Sequence, residues 1–494
     1  MRLNKKQMVL ELLETVEEGI HYSMQANSGE GEIILNDCIE AFTSILNIID
    51  NEEAVNLIRE INIILNSYVN LIISNDLNKV DLNQVIEKIN NLRKLIVRKI
   101  KTEVEIAFMP YKAAMWDSLE SVYEAAKEDS DCTSYVIPIP YYELDNKGTD
   151  KKLCCERFNF PTEIDTINYL NYNMEERQPE IIYIHNPYDD CNMITRVDER
   201  YYSRNLKNNT KMLVYIPYCI TGSVDNVKDF EIYATLACIK NADRVITQSE
   251  GDKRLYVNCG ADGNKILSLG SPKMDKVLKE NAKEVVIPME WQDKLKGKKV
   301  FLLSTGIKDL MGVEYWFSNL VNMLNDFLQD TENSLIWRPH PLTEATIEKM
   351  RPEYGEIYKK IKQSILDSSN VVLDTSKDAY AAMNISDALI SDYSSIMFQY
   401  TLTKKPIFAV CDEAYFADNR EYACDYRDIY LLDRNLNYSE FKEMVIRGED
   451  PKKEERVRRL RNSMNNTDGT AGKKIHEEIK NTVINSLESY LKGR

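Results

Sequence analysis

Apolar residues recur at three- and four-residue intervals through the first hundred positions. They do so in Met8-Val9-Leu12-Leu13-Val16, in Ile34-Leu35-Cys38-Ile39-Phe42-Ile45-Leu46-Ile49, in Ala54-Ile58-Ile61-Ile64-Leu65-Val69 and in Val85-Ile86-Ile89-Leu92-Ile96-Ile100. That is the period of one buried helix face, and it predicts three or four antiparallel helices over residues 1–103. Polar loops at Asn27-Ser28-Gly29-Glu30-Gly31 and Ser74-Asn75-Asp76 separate them. These helices offer a face for packing on the rest of the chain or for homo-oligomer formation, and His21 alone makes no site.

From Val104 the pattern changes to short apolar runs alternating with helical stretches, the signature of an α/β sheet. Strands are predicted over 104–109, 134–139, 181–184, 213–216, 244–247 and 265–269, with helices at 118–127, 230–239 and 250–259. Pro272 to Leu278 leads into a charged helical link over 279–298. A second series comes next, with strands at 300–304, 334–337, 371–373, 388–390, 406–410 and 429–432. Helices fall at 315–328, at 344–366 with a break near Pro352, at 438–446, at 453–464 and at 471–491. The division is an all-α region (1–103), a Rossmann-like domain (104–290) and a second Rossmann-like domain with C-terminal helices (291–494). Two Rossmann-like halves facing a cleft, behind an N-terminal helical region, make a GT-B-like α/β fold.

Composition narrows the class of protein. The 494 residues are 43% hydrophobic and 29% charged, enough for substantial cores. The formal net charge of −16 argues against nonspecific nucleic-acid binding. There is no apolar run long enough to span a bilayer, and the N-terminal stretch turns acidic where a secretory signal has its apolar core, so a cytoplasmic location is expected. Ten cysteines without a CxxC pair read as reduced thiols.

Candidate chemistry lies at strand ends in the second half. Asp387 to Val410 reads as strand, polar turn, short helix, strand, with Ser391-Asp392-Tyr393-Ser394-Ser395 at the turn. Such a turn suits either a phosphate group or plain helix capping. Arg338 and His340 follow the apolar strand Leu335-Ile336-Trp337, and prolines hold the histidine out of helical geometry. A guanidinium pairs bidentately with phosphate, and an imidazole hydrogen-bonds a phosphate or protonates a leaving oxygen; a structural corner explains the same residues. In a parallel sheet both loops emerge at the carboxyl edge, which makes them spatial neighbours. Taken together they point to a nucleotide-diphosphate site, with Ser304-Thr305-Gly306 approaching it. Met109-Pro110-Tyr111-Lys112, Trp116 and Gly270-Ser271-Pro272-Lys273 are weaker cleft candidates. Asp129-Ser130-Asp131 reads as a solvated turn, and no metal or cofactor is expected. The basic run Lys452, Lys453, Arg456, Arg458, Arg459 and Arg461 reads as a solvated helix face, with anionic polymer or lipid as the alternative partner.

Trp337-Arg338-Pro339-His340-Pro341, the stretch Ile390 to Tyr400, Lys405-Pro406-Ile407 and Asp468-Gly469-Thr470-Ala471-Gly472 together resemble the CDP-glycerol glycerophosphotransferase family of teichoic-acid primases and polymerases. The resemblance covers roughly residues 105–490. It implies attack of an acceptor hydroxyl on the β-phosphorus of CDP-glycerol with release of CMP. It also implies that Arg338 and His340 contact the pyrophosphate, and that Ser391, Asp392, Ser394 and Ser395 bind the donor phosphates or ribose; Thr305, from the Ser304-Thr305-Gly306 reading above, is a further donor-side candidate. The implied partners are a nucleotide-activated donor and a polymer or glycolipid acceptor, with peripheral contact at the inner face of the cell membrane.

The first half departs from that pattern. Family members carry a His-Gly-Thr turn whose histidine is the expected base, whereas this chain reads Val214-Tyr215-Ile216-Pro217-Tyr218-Cys219-Ile220-Thr221-Gly222. The neighbouring strand ends in His185-Asn186-Pro187-Tyr188-Asp189, so the base role falls to His185, with Asp189, Asn186 or Tyr218 on the acceptor side. The alternatives are that His185 positions an acceptor or caps a loop. A nucleotide-sugar GT-B transferase and a noncatalytic nucleotide-binding scaffold are the competing functions.

Overall fold

A computed structural model describes the chain apart from Asn27, 74–81, Asn146, Met193, 225–226, 308–313, Tyr393, 411–420, 423–427, 432–436 and 493–494. The first hundred residues form α1 (Leu3–Ser23), α2 (Ser28–Leu46), α3 (Glu52–Ile73) and α4 (Asn83–Arg98). The apolar stripe read from sequence is the buried one: in α3 it comprises Ala54, Ile58, Ile61, Leu65, Val69 and Ile72. This bundle shares its core with the first sheet, where the buried cluster continues through Val104, Ile106 and Phe108. Arg2 fastens the join, its guanidinium 3.0 Å from the fully buried Glu180 carboxylate.

Among the described residues the first half holds ten strands: β1 (Val104–Phe108), β2 (Cys132–Val136), β3 (Tyr141–Leu144), β4 (Asp150–Cys154), β5 (Ile181–Ile184), β6 (Thr195–Val197), β7 (Met212–Tyr215), β8 (Ser223–Val224), β9 (Arg244–Thr247) and β10 (Ile266–Ser268). Six of them make a parallel sheet in the order β10-β9-β7-β5-β1-β2, which reverses direction at the β1/β5 boundary. The antiparallel sheet β4-β3-β6 is a structure that hydrophobic patterning does not reveal. Its outer strand β4 is largely exposed and carries Asp150, Lys151 and Lys152, so no apolar run marks it.

The second half supplies β11 (Lys299–Thr305), β12 (Asn333–Pro339), β13 (Val371–Leu373), β14 (Ala388–Ser391), β15 (Ile407–Ala409), β16 (Glu421–Tyr422) and β17 (Tyr430–Leu431). Its sheet, β13-β12-β11-β14-β15-β17, is wholly parallel and reverses at β11/β14. Period-2 alternation sorts its side chains between two cores. Phe301, Leu303, Leu335, Trp337, Ala388 and Ile390 face one layer of helices. Val300, Leu302, Ile336 and Leu389 face the other. Two Rossmann-like sheets preceded by a helical bundle are the GT-B-like architecture.

The final helix, Ala471–Lys492, is grouped by sequence with the second half, but its apolar stripe Ile475, Ile479, Val483 and Leu487 lies in the first half's core. The Asp275 carboxylate takes the backbone N–H groups of Ala471 (3.2 Å) and Gly472 (2.8 Å) at its start. A side chain at Gly472 would collide with the backbone of Ser121, so the close crossing requires glycine there.

Candidate functional site

Ser304 is in register with Arg338 on β12 and with Ser391 on β14. Three segments far apart in sequence therefore end side by side on adjacent strands, at the reversal point where ligands of open α/β sheets bind. Two hydrogen bonds fix their loops: His340 N–H donates to Thr305 O at 2.8 Å, and Gly306 N–H donates to the Asp392 side-chain carboxylate.

The expected donor residues divide into a frame and an exposed set. Ser391 is fully buried, and its hydroxyl donates to Asp392 O (2.8 Å) beside the Ser394 hydroxyl (3.1 Å). Asp392 and Thr305 are buried as well, and Thr305 Oγ1 accepts the Trp337 indole N–H at 3.3 Å. These three residues are expected to bind the donor, and in the fold their side chains are buried on or against a fully packed strand, bonded to its neighbours. Ser394 is half-buried at the N-cap of the helix Ser395–Thr401, without a side-chain cap bond, and Ser395 is exposed. Tyr393 lies outside the described residues.

Arg338 is anchored to the loop after β13. Its Nη1 donates to the buried Asp374 carboxylate at 2.7 Å and to Ser376 Oγ at 3.1 Å, and Nη2 donates to Ser376 O at 3.0 Å. Three of the five guanidinium donors are thus used, which leaves Nε and one Nη2 hydrogen outside these bonds. His340 is exposed, and its Nδ1 accepts the Leu342 N–H at 3.2 Å, so the neutral ring carries its proton on Nε2. Partial burial lowers its pKa, which favours that neutral form. The arrangement offers an exposed imidazole, an oriented guanidinium and two serines in the loops that follow adjacent strands.

The first half behaves differently. His185 is completely buried; its Nε2 accepts the Tyr111 N–H at 2.9 Å, while Nδ1 lies 3.1 Å from Met115 O and 3.0 Å from Ser118 Oγ. Burial pulls its pKa down to about 4. The base role expected of His185 does not fit this geometry, because both nitrogens hold the loop after β1 and none faces a cleft. Asp189 is also a structural group: its two oxygens take Ser203 N–H (3.0 Å) and Ser203 Oγ (2.6 Å) at the start of the helix Ser203–Asn208. Tyr218 is half-buried, its ring 6.4 Å from the His185 ring and its phenol beside Tyr188, with burial raising its pKa. Asn186, directly after His185 in the chain, is half-buried.

Sequence reading missed the group that joins the halves. Asp117, in the short helix Ala113–Ser118 that follows β1, accepts from Lys273 Nζ and from Tyr380 Oη, each at 2.6 Å, and Tyr380 belongs to the second half. No spacing motif marks Asp117; its place after the strand at the sheet's reversal point was the available signal. β8 and β16 also pair across the halves, Ser223 with Tyr422 and Val224 with Glu421.

Two charged segments depart from expectation. Asp129 and Asp131 are not a solvated turn: Lys480 Nζ reaches Asp129 (2.7 Å) and Asp131 (3.0 Å), and His476 Nε2 lies 2.9 Å from Asp129. Asp129, Cys132 and His476 bring donor atoms within 4.8 Å of one another, but the Lys480 ammonium already sits on that carboxylate. In the basic run Arg456 is fully buried against Asp450, with Nη2 2.9 Å from Lys405 O, and Arg459 pairs with Asp428. Those two charges stabilise the second half and are not free for an anionic surface.

A model of the family described as CDP-glycerol:poly(glycerophosphate) glycerophosphotransferase matches residues 226–481, just over half of the chain. No curated protein matches the sequence. Among solved structures, the wall teichoic acid polymerase TagF is similar at 17% identity, covering 82% of this chain and 97% of that one, with a TM-score of 0.47. A putative UDP-N-acetylglucosamine 2-epimerase from Listeria monocytogenes is similar at 13% identity, covering 77% and 96%, with a TM-score of 0.48. UDP-GlcNAc 2-epimerase from Methanocaldococcus jannaschii is similar at 11% identity, covering 76% and 99%, with a TM-score of 0.47.

Proposed function

Since the chain belongs to the CDP-glycerol:poly(glycerophosphate) glycerophosphotransferase family, we propose that it transfers glycerol phosphate, or a related polyol phosphate, from a CDP-linked donor to a hydroxyl of a cell-surface polymer precursor, releasing CMP. The observation that carries this reading is the β11/β14 boundary, the place for a ligand crevice in such a sheet, where Arg338 and His340 end or follow β12 and Ser394 and Ser395 follow β14, all inside the family match. Arg338 and His340 Nε2 would donate to the pyrophosphate oxygens, concentrating positive and hydrogen-bonding groups where charge develops on the departing phosphate. Ser394 and Ser395, with the first N–H groups of their helix, would hold the other side of the donor. Ser391, Asp392 and Thr305 keep that crevice in shape. No metal or cofactor takes part in this reading.

Among the described residues no helix is long and apolar enough to cross a membrane. Contact with a lipid-linked acceptor would then be peripheral, from the inner face of the membrane.

The test is CMP release from CDP-glycerol, CDP-ribitol and UDP-sugars, with and without polyol-phosphate acceptors. Acceptor-dependent release of CMP from a CDP-polyol supports the reading, and preference for a UDP-sugar replaces it with a nucleotide-sugar transferase. Binding without turnover favours a noncatalytic scaffold, a reading that draws on the absent His-Gly-Thr turn and the sequestered His185.

A further inference from the structure

Transfer to a hydroxyl calls for a group on the acceptor side that receives its proton. At the carboxyl edge of the first sheet the obvious candidates are committed elsewhere. His185 has both ring nitrogens bonded inside the core. Asp189 spends both oxygens on Ser203. Asp252 also has an Oδ1 without a partner among the described residues, but the residue is 1% exposed beneath the turn after β9 and has no contact with the second half among its bonds.

Asp117 differs from all three. It lies after β1, at the strand reversal of the first sheet, and meets the second half directly through Tyr380. Only one of its oxygens is used: Oδ2 takes both the Lys273 ammonium and the Tyr380 phenol, while Oδ1 has no hydrogen-bond partner among the described residues. A shielded carboxylate oxygen without a partner is costly, and such atoms in folded proteins call for an explanation. Its side chain is 15% exposed at the seam between the halves, although Oδ1 itself is shielded from solvent.

Tyr380 also ties this carboxylate to the donor crevice. Its N–H donates to Asp378 Oδ1 at 3.1 Å, Ser376 Oγ donates to Asp378 O at 2.8 Å, and Ser376 O in turn accepts from Arg338 at 3.0 Å. One short series of bonds therefore fixes the guanidinium of the donor half and the carboxylate of the acceptor half relative to each other.

We propose that Asp117 is the acceptor-side base, its Oδ1 taking the proton of the attacking hydroxyl while Lys273 and Tyr380 hold Oδ2. This rests on the glycerophosphotransfer reading. In the step, the acceptor O–H bond breaks and its proton passes to Asp117. The oxygen forms a bond to the β-phosphorus, and the bond from that phosphorus to the bridging oxygen breaks, its electron pair leaving with CMP.

The experiment compares wild type with Asp117→Asn, Asp117→Ala and Tyr380→Phe, measuring transfer, CDP-glycerol affinity and thermal melting. Asp117→Asn is expected to lose at least about 100-fold in kcat, with donor affinity within about threefold of wild type. Formate added to Asp117→Ala is expected to restore part of the rate, which a purely structural role would not allow. Tyr380→Phe keeps the carboxylate but loosens it, for an expected loss of about tenfold. Retention of more than a tenth of the wild-type rate in Asp117→Asn overturns the assignment, as does a Tyr380→Phe loss equal to that of Asp117→Ala without formate rescue. Those results leave the transfer reading intact, whereas a wild-type protein that transfers to no acceptor ends both.

Discussion

At the carboxyl ends of β11, β12 and β14, polar side chains separate into a buried frame and an outward set. Ser391, Asp392 and Thr305 hold the loops, leaving His340 and Ser395 exposed. At the corresponding edge of the first sheet His185 and Asp189 are buried and fully bonded, while Asn186 and Tyr218 are half-buried. None of these four candidates is fully exposed, whereas the second sheet leaves His340 and Ser395 exposed. The lesson is that a polar residue after a buried strand is as often a brace as a reagent, and only its unspent donors and acceptors tell the two apart. The family match begins at residue 226, beyond His185, Asn186, Asp189 and Tyr218, in keeping with the weaker signal there.

The most damaging way to test the contrast is Arg338→Ala, which should strand the fully buried Asp374 carboxylate without its partner. A loss of about 3–5 kcal/mol in urea unfolding is expected, with donor affinity lost as well. If stability is unchanged, Arg338 is a ligand group and not part of the frame.

A second test uses pH. The unfolded chain protonates His185 near 6.5 and the folded chain only near 4, so the stabilisation is complete above pH 6.5. It should decline by about 3 kcal/mol as pH falls from 6.5 to 4. His185→Gln should flatten that slope. Asp252 works with the opposite sign, because burial lifts its pKa from 3.8 to about 7. Its contribution is full below pH 3.8 and lost as pH rises toward 7, and Asp252→Asn should remove that decline.

Gly306→Ala probes the clasp between β11 and β14. The new methyl would sit 3.0 Å from the Asp392 carboxylate, for a cost of about 1 kcal/mol and weaker donor binding. The smallest effect on stability belongs to His340→Ala: melting should stay within about 0.5 kcal/mol of wild type, while CMP release falls sharply. A matched loss of stability would place His340 with the braces.

Much of the architecture was legible because it rests on repeat. The helical stripe of α3 and the apolar runs of β11, β12 and β14 announce themselves, since burial selects apolar residues at the period of the element. The hairpin β3–β4 was not legible, its outer strand being polar and exposed. Nor was the final helix's attachment to the first half, because an amphipathic pattern gives the width of a face but not its partner.

The sequence by itself determined two sheets, a helical bundle and a donor motif, Arg338-Pro339-His340 with Ser394-Ser395, whose residue types suit phosphate. Tertiary structure alone decided that Ser304, Arg338 and Ser391 end side by side, that His185 is sealed, and that Asp117 meets Tyr380 across 263 positions. Strand register and domain crossing bring distant residues together, and solvent exclusion acts only on the folded chain. Which polar groups keep a free valence is therefore set by three-dimensional neighbours that no local spacing records.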